Sequence, residues 1–551
     1  MKRGRYIRGT FLPAAVAAAL AFAFPLAAGA AQQELPALAP ADDGLGRALA
    51  QGRLSEAEYA LERALALFRP ERAREVYGRI DRPDPRAGTL ILRDLAARIP
   101  DLAPAQRALA ARILARPTQR SDAIHPYLAE AKRFCGVRVC FWWVTSTRDA
   151  PSLRDRNRNG QPDWVETTRQ VLKTTWNAEV GRLGYRAPRS DATSRYRGPN
   201  GKLDVYIADV GAQGLYGYCT TDDPARNRRR AVSAYCVVDD DFARRQFGGA
   251  ATGTAALKVT AAHEFFHAVQ YAYDWLEDLW LMEGTATWIE DEVYDSINDN
   301  RQYLKTSPIA PQNYAFPLDY HNPDPNEPDS GYKYGVWIWW RYLSERYGPG
   351  IVRAVWRRAD ANRGAPDEYS LQATVSALSI RKQEFASVFA DFAVANATPS
   401  ASYSEGGTYP APEPDTTMVS ASGVGRTTVI TYHLANDYYK FAPADLDPAA
   451  TLTFLLDLPD PAGSPAASAI VEALDGSLTR VPAVRDEATG RWSIVVPGFG
   501  SARRVVLVLT NASTRLRCWQ GEVYSCRGRP LDDDVEIAFE AAIAPVAPVA
   551  P

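Results

Sequence analysis

The chain has 551 residues, enough for roughly three to four domains at about 150 residues each. It is 46% hydrophobic and 23% charged, too apolar for a mainly disordered chain. Lys and Arg total 63 against 65 Asp and Glu, a formal net charge of -2, so the basic excess typical of nucleic-acid binding is missing and no nucleic-acid partner is expected.

Residues 1–30 read as a signal peptide. Lys2, Arg3, Arg5 and Arg8 form a positive start, Phe11 to Ala27 an apolar stretch, and Ala28-Gly29-Ala30 a small-residue cleavage site. A secreted or periplasmic location is the expectation. No later apolar run is long enough for a membrane span. Six cysteines fall in three close pairs, Cys135 with Cys140, Cys219 with Cys236, and Cys518 with Cys526. In an exported chain an even count reads as disulfides, with neighbour pairing the simplest connectivity but one that sequence leaves open. No CxxC occurs, so a cysteine metal cluster lacks support.

Residues 31–130 are rich in Ala, Leu, Arg and Glu. Runs such as Ser55 to Leu65 predict amphipathic helices, divided by Pro70, Pro83, Pro85, Pro100 and Pro104. A pro-region and a helical accessory region fit this segment equally well. From 131 to 400 the pattern is α+β. Strands are predicted at Val139 to Val144, Leu203 to Ile207 and Val232 to Val238, and helices at 256–275, 280–293, 334–347 and 381–397.

Within that region Asp155 to Glu166 fits a twelve-position calcium loop. Asp155, Asn157 and Asn159 take positions 1, 3 and 5, Gly160 makes the turn, Gln161 offers its carbonyl, and Asp163 and Glu166 take positions 9 and 12. Hard Ca²⁺ prefers such an all-oxygen set. With two Asn in place of carboxylates, affinity should be modest and the role structural.

The sharpest signal is His263-Glu264-Phe265-Phe266-His267, in a chain with only five His. Two His at i and i+4 share one helix face, so both imidazoles reach a single Zn²⁺, with Glu264 beside them to act on a metal-bound water. Zinc needs a third protein ligand and an open position. Glu283, in Trp280 to Asp291, lies sixteen residues past His267, room for a turn and a second helix. The residues after His267 contain neither the Gly nor the third His of HExxHxxGxxH, which excludes the metzincin pattern. Glu290 and Asp291 are candidates to orient a ligating His.

The HEFFH and WLMEGTATWIED blocks together resemble the gluzincin class of zinc peptidases, and most closely a set of little-described exported bacterial metalloproteases with HExFHAVQ followed by EGTATWxED. The resemblance covers about 140 to 400. It implies a zincin-like domain in which His263, His267 and Glu283 bind zinc and Glu264 is the general base. In the related aminopeptidases a Tyr three residues before a Gly donates to the oxyanion. In Gly331-Tyr332-Lys333-Tyr334-Gly335 that position is Tyr332, with Tyr334 and His321 as alternatives. Those aminopeptidases also hold the substrate amine with a Gly-x-Met-Glu-Asn block. Met occurs here only at 1, 282 and 418, so the block is absent and endopeptidase action is favoured.

Residues 401–416 read as a linker, and beyond it short strands such as Thr427 to Tyr432, Thr451 to Leu456, Trp492 to Val496 and Val505 to Thr510 predict a β-sandwich over 417–543. The Pro-Val-Ala repeats of 544–551 read as a disordered tail. The expectation is therefore an α+β zincin-like catalytic domain between a helical region and a β-sandwich, a zinc peptidase acting on protein or peptide. Two competing readings are a calcium-stabilised surface binding protein with a relic zinc site, and a zinc hydrolase of non-peptide substrates. The intact Glu264 argues against a relic.

Overall fold

The computed structural model describes residues 38, 41–81, 84–120, 123–192, 194, 198, 200–222, 231–247, 251–320 and 331–544. The expected signal peptide, His321 and the tail after Ala544 lie outside the described residues. The fold is α+β, helical in its N-terminal and middle parts, with two facing sheets at the C-terminal end.

The N-terminal part forms helices Gly44–Ala50, Glu56–Phe68, Pro70–Tyr77, Gly88–Arg98 and Pro104–Ile113. Ser55 caps the second in a reciprocal capping box with Glu58. That helix buries Ala57, Leu61, Ala64, Leu65 and Phe68, spaced for one face. The helices share one continuous hydrophobic core with the middle part, running from Ala57 to Ala512. Arg116 shows how deeply the segment is embedded. It is 2% exposed and paired with Asp191, Asp204 and Asp222 of the middle part.

The middle part holds a five-stranded sheet of β1 (Lys132–Cys135), β2 (Val139–Trp143), β3 (Leu203–Ala208), β4 (Gly217–Thr220) and β5 (Tyr235–Asp239). Their spatial order is β1-β2-β3-β5-β4. Strands β2, β3 and β5 run parallel, and β4 runs antiparallel at the edge. Every residue of β3 and β5 is buried, as expected for strands covered on both faces. Strands β1 and β4 were not expected, since Lys132-Arg133 and the glycine of β4 carry little strand signal.

Helix Thr254–Gln270 packs on β4 and β5, and helix Leu279–Tyr294 packs on it in turn. Both are apolar around nearly their whole circumference, as centrally buried helices must be. Gly284 permits the second helix to meet the Trp-rich helix Trp337–Tyr347. A Cβ there would lie 2.7 Å from both Trp340 Nε1 and Val336 Cγ2.

The stretch expected to be a linker is instead packed. Tyr403 and Tyr409 are buried in the main core and Glu405 pairs with Arg301, so aromatic burial outweighs the local Gly/Pro signal. Beyond it, one sheet runs in the order Leu478–Pro482, Pro465–Ala473, Ala502–Asn511, Ala435–Pro443, Thr416–Val419. The other runs Val484–Arg485, Trp492–Val496, Thr451–Asp457, Val535–Ala544, Val424–Thr431. Phe441, Phe454, Leu507 and Phe539 fill the space between them.

The cysteines pair with their neighbours, Cys135–Cys140, Cys219–Cys236 and Cys518–Cys526. The last closes a loop that touches the middle part. Its Ser525 N–H donates to Asp319 at 3.0 Å, its Cys526 N–H donates to Asp278 at 2.9 Å, and Trp280 Nε1 donates to Ser525 Oγ at 3.0 Å. His433 of the sandwich faces Asp319 at 3.4 Å, both wholly buried. Among the described residues no helix is long and apolar enough to cross a membrane.

Because Gly284 sits where no side-chain atom fits, Gly284→Ala should cost about 1–3 kcal/mol of stability through overpacking. Chemical denaturation would show it as a lower midpoint at unchanged slope. A midpoint equal to the parent's would refute this account of the helix contact.

Candidate metal centre

The two central helices bring His263, His267 and Glu283 together, with one ligand atom from each lying within 4.8 Å of the others. Glu283 Oε2 is 3.1 Å from His263 Nε2 and 3.7 Å from His267 Nε2. All three residues are 0% exposed. The i, i+4 spacing stacks the imidazoles on one helix face, and the crossing helix supplies the carboxylate opposite.

The other ring nitrogens are fixed. His263 Nδ1 donates to Glu290 Oε1 at 2.8 Å, and His267 Nδ1 donates to Gln270 Oε1 at 2.7 Å. Both bonds turn the Nε2 lone pairs toward Glu283, the orientation a metal ligand requires. Gln270 Nε2 in turn donates to Met282 O at 2.9 Å and Thr285 Oγ1 at 3.1 Å, tying the two helices together. Glu290 carries the orienting role that sequence had offered to Glu290 or Asp291. Asp291 instead pairs with Arg341 at 2.9 Å. Gln270 went unnoticed in the sequence, although its i+3 distance from His267 places it on the same face.

A cation fits this site on internal grounds. Among the described residues, His267 Nε2, Glu283 Oε1 and Glu264 Oε1 are buried with no hydrogen-bond partner, a costly condition that a bound cation and its water would relieve. Protonation balances the charge of these groups. Burial opposes charge on His263, yet the hydrogen bonds to Glu283 and Glu290 outweigh it and hold the imidazolium up to about 10. Burial drives His267 down to about 4. Glu283 is also penalised by burial, but the two imidazoles hold it below the usual carboxylate value. Burial lifts Glu264 to about 7, opposed by His263 and by the Thr89 hydroxyl.

Glu264 lies one residue from the ligand face. Its Oε2 accepts from Thr89 Oγ1 at 2.7 Å. Strand β4 passes close by, since a Cβ on Gly217 would lie 3.4 Å from Glu264 Cγ. Arg86 joins the network from the N-terminal part, with Nη1 donating to Tyr303 at 2.8 Å and Nη2 to Asp299 at 2.5 Å and Glu290 at 3.3 Å. Nothing in the sequence of residues 31–130 pointed to Thr89 or Arg86. Their partners lie about 175 and 204 positions away.

Of the oxyanion candidates, Tyr332 donates its hydroxyl to Phe316 O at 3.0 Å and packs its ring on Phe316 and Tyr320. Tyr334 is the one beside the ligands. Its ring centre is 6.3 Å from that of His263, and its buried hydroxyl has no partner among the described residues. The shift of two positions follows from the short helical turn Tyr332–Gly335, which points these two side chains in different directions.

The loop Asp155 to Glu166 is turned in on itself, exposed over residues 156–160 and half-buried at Asp155, Gln161, Asp163 and Glu166. Asp155 accepts from the N–H groups of Asn159 and Gly160, at 3.2 and 2.8 Å. Asn157 and Asn159 donate to Glu166 at 3.0 and 2.5 Å. Gln161 N–H donates to Asn159 Oδ1 at 2.9 Å. Asp163 opens helix Asp163–Trp176, with Oδ1 accepting from Arg156 N–H at 3.0 Å and Oδ2 facing the Arg156 side chain. Left-handed φ values of 60° at Arg158 and 84° at Gly160 make the turn.

No protein-family model matches the chain, and no curated protein does either. Among solved structures, the pre-peptidase C-terminal domain of a collagenase from Bacillus anthracis matches over 24% of this chain and 97% of its own length. The identity is 8% and the TM-score 0.15, too slight a likeness to bear on fold or function.

With the His263 imidazolium held near 10, a divalent metal must displace a proton to bind at neutral pH. Metal affinity should therefore rise with pH through the neutral range, by up to about tenfold per unit. Calorimetric titration with zinc in buffers of different ionisation enthalpy should find about one proton released per ion. A release of zero would sink this reading of the site.

Proposed function

We propose that the protein is an exported zinc metallopeptidase of gluzincin type that hydrolyses peptide bonds within a chain. The observation that supports it is the convergence of two oriented Nε2 lone pairs and the Glu283 carboxylate beside a buried Glu264 oxygen that lacks any partner. Two imidazoles with one carboxylate is a donor set that suits zinc and leaves it a position open. When bound there, zinc supplies a Lewis acid and an activated water.

The protein's own groups supply the rest. Glu264 takes a proton from the attacking water and returns it to the departing amine. Tyr334, rather than Tyr332, donates to the oxyanion as charge develops, since its hydroxyl is free and next to His263. Glu290 and Gln270 keep the imidazoles in one tautomer and one orientation. The three disulfides fit the oxidising surroundings of an exported enzyme.

We further infer that Asp155, Asn157, Asn159, Gln161, Asp163 and Glu166 hold a structural Ca²⁺. The inward-facing oxygens of Asp155, Asn159 and Glu166, and the turn at Gly160, support this.

Two experiments test these readings. Glu264→Gln should keep zinc but lose peptide hydrolysis by about 100-fold or more, and Tyr334→Phe should lose roughly 100-fold in kcat. Zinc-loaded protein that cleaves no member of a broad peptide library would reject the peptidase. Separately, millimolar Ca²⁺ should raise the melting temperature of the parent but not of Glu166→Ala. An equal response in both would reject the calcium loop.

A further inference from the structure

Away from the metal centre, the β1–β2 hairpin and helix Asp163–Trp176 face each other across a groove of about 730 Å³. That is the size of a small-molecule site, and the lining is of the matching kind, apolar with a few charged groups. Phe134, Val139 and Phe141 line the hairpin side, and Leu172 and Trp176 the helix side. Both walls are fixed. The Cys135–Cys140 disulfide locks the hairpin, and the Trp176 ring packs 5.2 Å from that of Phe265 in the central helix.

Three cations stand over these apolar surfaces, Arg138 from the hairpin and Arg169 and Lys173 from the helix. The two guanidinium groups reach across to the opposite wall. Arg138 lies 5.3 Å from the centre of the Trp176 ring, and Arg169 lies 3.3 Å from that of Phe134. Among the described residues none of the three is ion-paired to a carboxylate. Arg169 donates instead to the neutral Gln161 side chain. Glu166 is the one carboxylate on the lining, and Asn157 and Asn159 draw it into its own loop at 3.0 and 2.5 Å. Burial lowers the Arg169 guanidinium from its ordinary value even with Glu166 opposing the shift. Arg169 and Lys173 are also four residues apart on one helix face, where like charges repel.

An occupant with an apolar body and a single anionic head answers both features, since it covers the aromatic rings and offsets the crowded cations. The groove lies on the face of the sheet, where β2 is paired on both sides, so it offers an extended peptide no backbone ladder. We propose that this groove binds a single-chain aliphatic carboxylate, a fatty acid, with its tail against Phe134, Phe141 and Trp176 and its head held by Arg138, Arg169 and Lys173. The site is separate from the metal centre and does not rest on the peptidase reading.

Calorimetric titration of the full-length protein with dodecanoate, kept below its micelle-forming concentration, should find one saturable site. Dodecyltrimethylammonium, with the same tail and the opposite charge, should not bind there. Arg169→Gln should weaken dodecanoate about tenfold or more, the effect of losing one charged hydrogen bond. Gly136→Trp should abolish binding. A Cβ at Gly136 meets nothing nearer than 3.6 Å, so the indole fills the groove without moving the backbone. Should that variant fail to fold, Arg169→Gln combined with Lys173→Gln takes its place, with a larger loss expected than from Arg169→Gln alone. Absence of saturable dodecanoate binding, equal binding of the two amphiphiles, or parental affinity in the variants would overturn the proposal. So would a protein that ignores dodecanoate but uses the groove for an acidic, leucine-rich peptide or for a second copy of itself.

Discussion

Everything in this molecule turns on keeping several ionisable groups together where water does not reach. Glu283 sits between two imidazoles, Glu290 holds one of them, and Arg86 holds Glu290. Each group alone would be prohibitively costly to bury, and each is tolerable only because the next one is in place. The fold is arranged to maintain that chain of dependence. The central helices are apolar on nearly every side, so they cannot rotate without exposing hydrophobic surface, and Gln270 pins one to the other. Among the described residues, His267 Nε2, Glu283 Oε1 and Glu264 Oε1 remain buried without a hydrogen-bond partner.

The parts legible in the sequence were those whose signal is local. HEFFH declares itself because i, i+4 spacing is a property of one helix, and Glu283 because it follows sixteen residues past His267, room for a turn and a second helix. Helix limits came close, with 280–293 expected and Leu279–Tyr294 found. The hidden parts depend on distance along the chain. Thr89 and Arg86 lie in a stretch that reads as ordinary amphipathic helix, and their roles exist only because that helix returns to β4. Strand β4 is four residues long and contains a glycine, so its signal vanishes, yet it flanks Glu264. The choice between Tyr332 and Tyr334 rests on which way one short turn faces, a matter of tertiary contact with Phe316. The stretch around Tyr403 and Tyr409 misled for the opposite reason. Its Gly and Pro residues mark turns, but turns do not preclude burial when aromatics supply the packing.

The N-terminal part is best understood as two pieces with different attachments. Around Arg116 it is inseparable from the sheet, because a buried guanidinium there neutralises three carboxylates. Around Gly88 it closes on β4 through a glycine and a directional bond, while Leu90, Ile91, Leu92 and Leu95 of the same helix join the main core.

The clasp between the sandwich and the body depends on a cross-linked loop. Asp319 draws a backbone donor and an imidazole from the sandwich, and Asp278, at the very start of the helix that carries Glu283, draws another donor from Cys526. Those donors are presented by a loop that its own disulfide closes. Closure of that loop by its disulfide thus holds two backbone donors opposite two buried carboxylates, one from the body and one from the start of the central helix.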